Sequence, residues 1–311
     1  MSGPVPGSVA VLGPGGVGGF LAAALARAGQ PVTVIAREET AAAISERGIR
    51  VRSVRLGDFT AHPAAAPRLE APVETLFVAT KAGGLAASLE RVQAAPGLVV
   101  PLLNGLDHLA ALRERYGAAA VAGTIRIEAD RPAPGEIEQT SPFLRVDLAS
   151  DDPSLRPRLE ALAAQLEAAE VPARVGDSEA QVLWGKLVRL NALACTTSAV
   201  DRQLGFIRAD PEWRAALEGC IAEGVAVARA EGARIEAQTV IGELTDAHET
   251  LGSSMQRDIA VGREPELDSI PGAVLRAAAR HGLECPTIAR LTVAIARRAG
   301  IGVPAIARVA D

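Results

Sequence analysis

Aromatic side chains are nearly missing from this chain: five phenylalanines, two tryptophans and one tyrosine stand among 311 residues. So few rings do not make a surface on which nucleic-acid bases stack. Basic runs are missing as well, and the formal net charge is −5, so nucleic acid is not the expected partner. The three cysteines, Cys195, Cys220 and Cys285, are odd in number and far apart, with no CxxC pair. They offer neither a disulfide framework nor a zinc site, and they fit a reducing compartment. The four histidines, His62, His108, His248 and His281, have no paired spacing and read as structural or surface residues. No run of about 18 apolar residues of membrane type occurs. Met1 to Gly7 carries no basic region, and the apolar run after it leads straight into a glycine cluster, so a signal peptide is not read here. A soluble, cytoplasmic protein without a membrane partner is expected.

What the chain does have is apolar mass and helix punctuation. Hydrophobic residues make up 49% and charged residues 22%, enough for sizeable cores. The length suggests two domains. Val9 to Leu12, Pro31 to Ala36, Thr75 to Ala79, Leu98 to Leu103 and Val121 to Ile127 read as buried strands. A helix over Phe20 to Ala28, closed by Gly29, follows the first. Strands separated by helical patterns imply a parallel sheet with crossover helices. Gly135 to Leu148 alternates and suggests antiparallel edge strands. After about residue 150 strand-like runs nearly stop. Asp152 or Ser154 caps a helix ending near Glu170, and Ser178 caps one running to about Val200. Asp210-Pro211 opens another that Gly232 ends, and two more end at Gly282 and Gly300. The turn Val175 to Asp177 is the expected boundary. The fold class expected is α/β: an N-terminal Rossmann-type dinucleotide-binding domain over residues 1–176, then an all-helical domain over 177–311.

The segment Gly13-Pro14-Gly15-Gly16-Val17-Gly18 follows a strand and opens a helix. In that context each glycine has a task. Gly13 permits the tight turn, Gly15 lets the backbone approach a pyrophosphate, and Gly18 lets helix and sheet pack closely. The helix N-terminus favours the anion. The second strand leads into Arg37, where an acidic residue would bond a ribose 2′-hydroxyl. Arginine pairs instead with a 2′-phosphate, so NADP(H) is the expected cofactor. Glu38 and Glu39 lie beside it and compete for the same guanidinium.

These pieces occur in a set. GPGGVG at 13–18, VIAR at 34–37, ATKAG at 79–83, LLNGL at 102–106, LWGKL at 183–187, SSMQRDI at 253–259 and Glu266-Leu267-Asp268 follow one another along nearly the whole chain. In order and spacing the set resembles the ketopantoate reductases. The resemblance implies a Rossmann domain and a helical domain with the active site in the cleft between them. It implies reduction of the small 2-oxo acid 2-ketopantoate to pantoate with NADPH, a step towards coenzyme A. It further implies Lys186 as the catalytic lysine and Glu266 as a catalytic glutamate that also contacts the cofactor ribose. Asn104 is implied near nicotinamide and substrate, Ser254 on the substrate carboxylate, and Lys81 and Ala129 on the cofactor side.

Read without the resemblance, each of these residues has a plainer alternative. Lys186 lies in a helical stripe with Val182, Leu183, Leu190 and Leu193, so its ammonium either faces a polar opening or snorkels from a core edge. Asn104-Gly105 follows a strand at its carboxyl end and is either a ligand loop or a simple turn. Lys81 faces phosphate or water, Ser253 or Ser254 is a helix cap, and Glu266 is a solvated acid. The sequence also departs from the family. Asparagines that the family carries four and eight residues after the lysine are replaced by Leu190 and Ala194, and a third falls in the Leu204 region. Asn191, the substrate-binding candidate, comes one residue late, about 140° round a helix from Lys186 at about 100° per residue. A π-bulge between Lys186 and Asn191 is expected to swing the amide back and bring Cys195 to the second asparagine position. The rival is a regular helix with Leu190 and Ala194 lining a less polar pocket. Other readings are a different two-domain NAD(P)-dependent dehydrogenase and an NADP-binding redox sensor. A homodimer is the common default for such a chain.

Overall fold

A computed structural model describes residues 5–307. It divides into two compact units: residues up to Leu103 with His108–Val182, and Asn104–Asp107 with Leu183 onward. The division therefore falls within a helix and not at the Val175–Asp177 turn, and a four-residue loop leaves the first unit for the second.

The first unit opens with strand β1 (Val5–Leu12), helix α1 (Gly16–Arg27), strand β2 (Val32–Ile35) and helix α2 (Glu38–Arg47). Strands β3 (Ile49–Ser53), β4 (Phe59–Ala61), β5 (Ala64–Ala66) and β6 (Val73–Val78) follow, then α3 (Leu85–Leu89), β7 (Leu98–Pro101) and α4 (Asp107–Tyr116). Strands β5, β2, β1, β6 and β7 form one parallel sheet in that order. Val9 to Leu12 and Leu98 to Pro101 are buried without alternation, as strands covered on both faces must be. The register pairs Leu12 with Ile35 and with Val78, so β1, β2 and β6 end level with one another. Gly13, Arg37 and Lys81, each just beyond one of those ends, consequently share the carboxyl edge of the sheet.

The rest of the unit departs from the simple parallel reading. Strands β8 (Ala122–Arg126), β9 (Ala129–Ala133), β10 (Glu136–Gln139) and β11 (Arg145–Ala149), helix α5 (Arg156–Ala168) and strand β12 (Ala173–Val175) complete it. The strand expected at Val121 to Ile127 exists, but β8 pairs antiparallel with β11 in a separate sheet of order β12-β11-β8. Another sheet, β4-β3-β10-β9, packs on α1. Here β10 is antiparallel to β9 and parallel to β3, so the alternating segment is only in part an antiparallel edge. The alternation of β3, Ile49 and Val51 inward with Arg50 and Arg52 outward, marks a sheet with one dry face. With sheets on two sides, α1 is buried from Gly18 to Leu25, and Phe20 is fully enclosed.

The second unit is helical. Helix α6 (Glu179–Val200) leads into it, with the Ser178 hydroxyl accepting from the Gln181 amide. Then come α7 (Leu204–Ala209), α8 (Pro211–Ala230), α9 (Ala237–Asp246), α10 (Ser254–Ala260), α11 (Pro271–Arg280) and α12 (Pro286–Ala299). Asp210 caps α8 by accepting from the Glu212 and Trp213 amides, with Pro211 at the first helical position. Helix α8 packs against α7, α9, α11 and α12 and forms the axis of the unit. Helix α10 begins at the serine pair read as a cap, whereas α7 and α9 escape the sequence reading. No helix among the described residues is long and apolar enough to cross a membrane.

Phe20 fixes α1 between two sheets, and neither sheet can collapse onto the space its ring fills. Phe20→Ala should lower stability by about 3–5 kcal/mol, measured as the shift in the denaturant midpoint at unchanged slope.

Candidate active-site residues

The glycine loop follows from its packing. Gly13 takes φ +90°, and a Cβ there would come within 2.8 Å of the Thr80 side chain. A Cβ on Gly18 would fall 2.3 Å from the Gly13 carbonyl oxygen and 2.9 Å from the Ala79 Cβ. A Cβ on Gly16 would fall 1.9 Å from the Ala129 carbonyl oxygen. Three of the four glycines are thus required by the protein's own backbone. Gly15 is different: it has no neighbour within 4 Å of a Cβ, and its φ of −72° suits any residue. An open, side-chain-free cradle remains at the N-terminus of α1, which fits the pyrophosphate of a dinucleotide. Pro14 is buried and Val17 half-buried in this loop. Ala129, expected on the cofactor side, backs Gly16 through its carbonyl group.

At the neighbouring strand ends, Arg37 is exposed at the N-terminus of α2, and no hydrogen bond or ion pair holds its side chain among the described residues. The competition expected from Glu38 is resolved elsewhere, since Glu38 pairs with Arg91 at 3.3 Å. Lys81 is exposed just before the short 3-10 turn Ala82–Gly84.

In the helical unit, three candidate residues from distant parts of the chain meet. The Lys186 ammonium donates to Asn104 Oδ1 at 2.9 Å, and Asn104 Nδ2 donates to Glu266 Oε2 at 3.0 Å. An amide has one acceptor and one donor end, so these two partners fix its orientation. All three side chains are half-buried, in reach of a ligand yet shielded enough for charge to matter. Gly105 delivers the asparagine. It takes φ +93°, and a Cβ there would lie 2.0 Å from the Ser269 carbonyl oxygen, so only glycine fits. Arg276 fastens the same loop, with Nη2 on Asp107 at 2.6 Å and Nη1 on Asp268 at 2.7 Å. Residue spacing carries no signal for Arg276 or Ser269, which reach the loop only through the fold.

Two expectations need correction. Helix α6 runs unbroken as an α-helix from Glu179 to Val200, without the π-bulge expected between Lys186 and Asn191. Asn191 is fully buried, its Oδ1 accepts from Cys195 Sγ at 3.4 Å, and its Nδ2 has no partner among the described residues. Neither Asn191 nor Cys195, also fully buried, reaches the surface beside Lys186. A regular helix costs less than a bulge when the interior accepts a small amide, and here it does. Leu190, one turn beyond Lys186, is half-buried instead, while Ala194 is enclosed. In the serine pair, Ser253 is the buried cap, accepting from the Gln256 amide at 3.1 Å and from Thr197 Oγ1 at 2.9 Å. Ser254 stands exposed at the first position of α10.

The cysteines take no part in this chemistry. All three are buried and free. Burial and the nearby Glu223 carboxylate push the Cys285 thiol up to about 12, which keeps it protonated. A hydrogen bond with Cys195, together with burial, holds the Cys220 thiol well above its usual range. No group of acids, histidines and cysteines suited to a metal occurs among the described residues.

Comparison with known proteins agrees along the chain. The family model "Ketopantoate reductase PanE/ApbA" matches residues 9–149, and its C-terminal counterpart matches residues 180–299. A 2-dehydropantoate 2-reductase of Caulobacter vibrioides is 31% identical over 303 residues, covering 94% of this chain and 99% of the relative. The crystal structure of a 2-dehydropantoate 2-reductase from Geobacter metallireducens superposes with a TM-score of 0.86 at 26% identity, covering 93% of this chain and 99% of that one. A D-mandelate dehydrogenase solved with NADH and anilino(oxo)acetate shares the fold at a TM-score of 0.84 and 20% identity, covering 94% of this chain and 98% of that one.

The loop geometry separates folding from binding. Gly16→Ala should destabilise the protein by about 1–3 kcal/mol, because backbone must move. Gly15→Ala should leave the melting temperature unchanged yet weaken dinucleotide binding, with thermal melts and a binding titration reading the two effects separately.

Proposed function

We propose, because this chain belongs to the ketopantoate reductase family, that it reduces the ketone of a 2-oxo acid to a 2-hydroxy acid with NADPH. As a member of that family it is an oxidoreductase acting on the CH–OH group. The observation that carries the finer reading is the hydrogen-bonded run Lys186–Asn104–Glu266.

NADPH, when bound, supplies hydride to the ketone carbon. The chain's own groups do the rest. The ketone oxygen gains negative charge as its carbon is reduced, and the Lys186 ammonium stabilises that charge and delivers a proton to the oxygen. A positioned general acid contributes roughly 10²–10⁴-fold. Asn104 holds Nζ in one place through Oδ1, and Glu266 holds Asn104, so little reorganisation is needed as charge develops. The Ser254 hydroxyl takes the substrate carboxylate. Gly13 to Gly18 hold the pyrophosphate, with Pro14 and Val17 shaping the loop. Arg37 binds the 2′-phosphate, and Lys81, Ala129 and Glu266 complete the cofactor contacts.

The family name supports 2-ketopantoate as the substrate. One observation favours a second reading within the same chemistry. The unbroken α6 presents Leu190, not an amide, on the turn after Lys186. A leucine there bonds no substrate hydroxyl and suits an apolar side chain on the 2-oxo acid.

Lys186→Ala should lower kcat by two or more orders of magnitude while NADPH still binds, read as NADPH consumption against a separate binding titration. Near-full kcat would remove Lys186 from the mechanism. A panel of 2-oxo acids decides the substrate. Ketopantoate should give the highest kcat/KM if the hydroxylated acid is correct, whereas an apolar 2-oxo acid should exceed it if Leu190 sets the pocket.

A further inference from the structure

The carboxyl edge of the parallel sheet holds an arrangement that the loop and Arg37 do not account for. Arg91, in the turn after α3, extends Nη1 to the Ala36 carbonyl at 3.3 Å, the Pro67 carbonyl at 3.1 Å and Glu38 Oε1 at 3.3 Å. Ala36 directly precedes Arg37, and Pro67 follows the strand β5 that pairs with β2. The turn that carries Arg91 is itself tied down, since its carbonyl accepts from the Leu69 amide at 2.8 Å. Arg91 therefore clamps the two strand ends and Glu38, the acid that directly follows Arg37. Glu38 is otherwise exposed, on a side chain 73% accessible. Its carboxyl lies below the usual range through its own backbone amide first and the Arg91 guanidinium next, with Arg68 adding a smaller pull.

We infer that Arg91 sets cofactor preference without itself binding the cofactor, by occupying Glu38. An acid at the end of the second strand does two things to a dinucleotide: it accepts from a ribose 2′-hydroxyl and repels a 2′-phosphate. Glu38 is the residue next to Arg37 and is able to do both. Held by Arg91, it does neither, and Arg37 meets the 2′-phosphate without Glu38 pairing with it first. Arg68, exposed at the same edge and in no hydrogen bond or ion pair among the described residues, adds positive charge near Glu38. Arg91 is in these terms a positioning residue. This inference rests on the NADPH reading above.

The test uses two fragments that lack the nicotinamide, so it reads binding and not turnover. Titration calorimetry with 2′,5′-ADP and with 5′-AMP gives a preference ratio for the full chain. The parent should favour 2′,5′-ADP. Arg91→Ala should lower that ratio about tenfold or more, and Glu38→Gln added to Arg91→Ala should restore most of it. Glu38→Gln alone should change the ratio little. A purely structural role for Arg91 predicts otherwise, because the loss of the Ala36 and Pro67 contacts is not repaired by changing Glu38. If Arg91→Ala does not fold, Arg91→Gln keeps an amide donor for those carbonyls while giving up the charge, and the same rescue applies. An unchanged ratio in the Arg91 variant, or a loss that Glu38→Gln does not reverse, overturns the inference while leaving the NADPH reading standing. A parent that binds both fragments equally overturns the NADPH reading and the inference with it.

Discussion

The amide of Asn104 is held from both ends, by an ammonium at 2.9 Å and a carboxylate at 3.0 Å. Turning it over would set a donor against the Lys186 ammonium and an acceptor against the Glu266 carboxylate, so only one orientation is stable. The chain reaches that amide through Gly105, whose lack of a side chain lets the loop lie on the Ser269 carbonyl. Arg276 closes the same loop from outside through Asp107 and Asp268. Removing any of these supports would loosen the amide that bridges Lys186 and Glu266.

The dinucleotide loop is built on the same physical idea, close approach without side chains, used for packing instead of polarity. Three of its glycines are pressed against backbone or side-chain atoms of the protein, and Gly15 alone faces open space. The crowded positions hold the loop rigid, and the open one leaves room for an anion to meet backbone amides. Rigidity on one side and space on the other is what preorganised binding needs. The even ending of β1, β2 and β6 then gathers Gly13, Arg37 and Lys81 along one edge.

Polar residues inside the helical unit divide into those that serve packing and those that face outward. Ser253 and Thr197 satisfy each other and the start of α10, leaving Ser254 free of that duty. Asn191 is enclosed, with Cys195 donating to its Oδ1, and among the described residues neither hydrogen of its Nδ2 finds an acceptor. An unsatisfied buried donor costs about 1–3 kcal/mol, and the regular packing around α6 outweighs it.

The parallel sheet, the long helices and the glycine loop were legible in the sequence, because each leaves a local signature. Val9 to Leu12 is apolar without alternation, Gly13 to Gly18 has a spacing only a tight turn and a close-packed helix require, and Asp210-Pro211 and Gly300 mark helix ends through backbone geometry. Lys186, Asn104 and Glu266 were legible only as members of a motif set that resembles a family, since nothing local joins residues so far apart. Three things were left to the tertiary structure. The antiparallel pairing of β8 with β11 is decided by partners and not by the strand's own composition. The regularity of α6 is decided by whether the surrounding core accepts Asn191. The duties of Arg91 and Arg276 arise where long side chains reach across strand ends and loops. Periodicity and turn chemistry act over a few residues, so the sequence determines elements and their ends. Which distant side chains meet is set by how those elements pack, and that packing decided the shape of the candidate site.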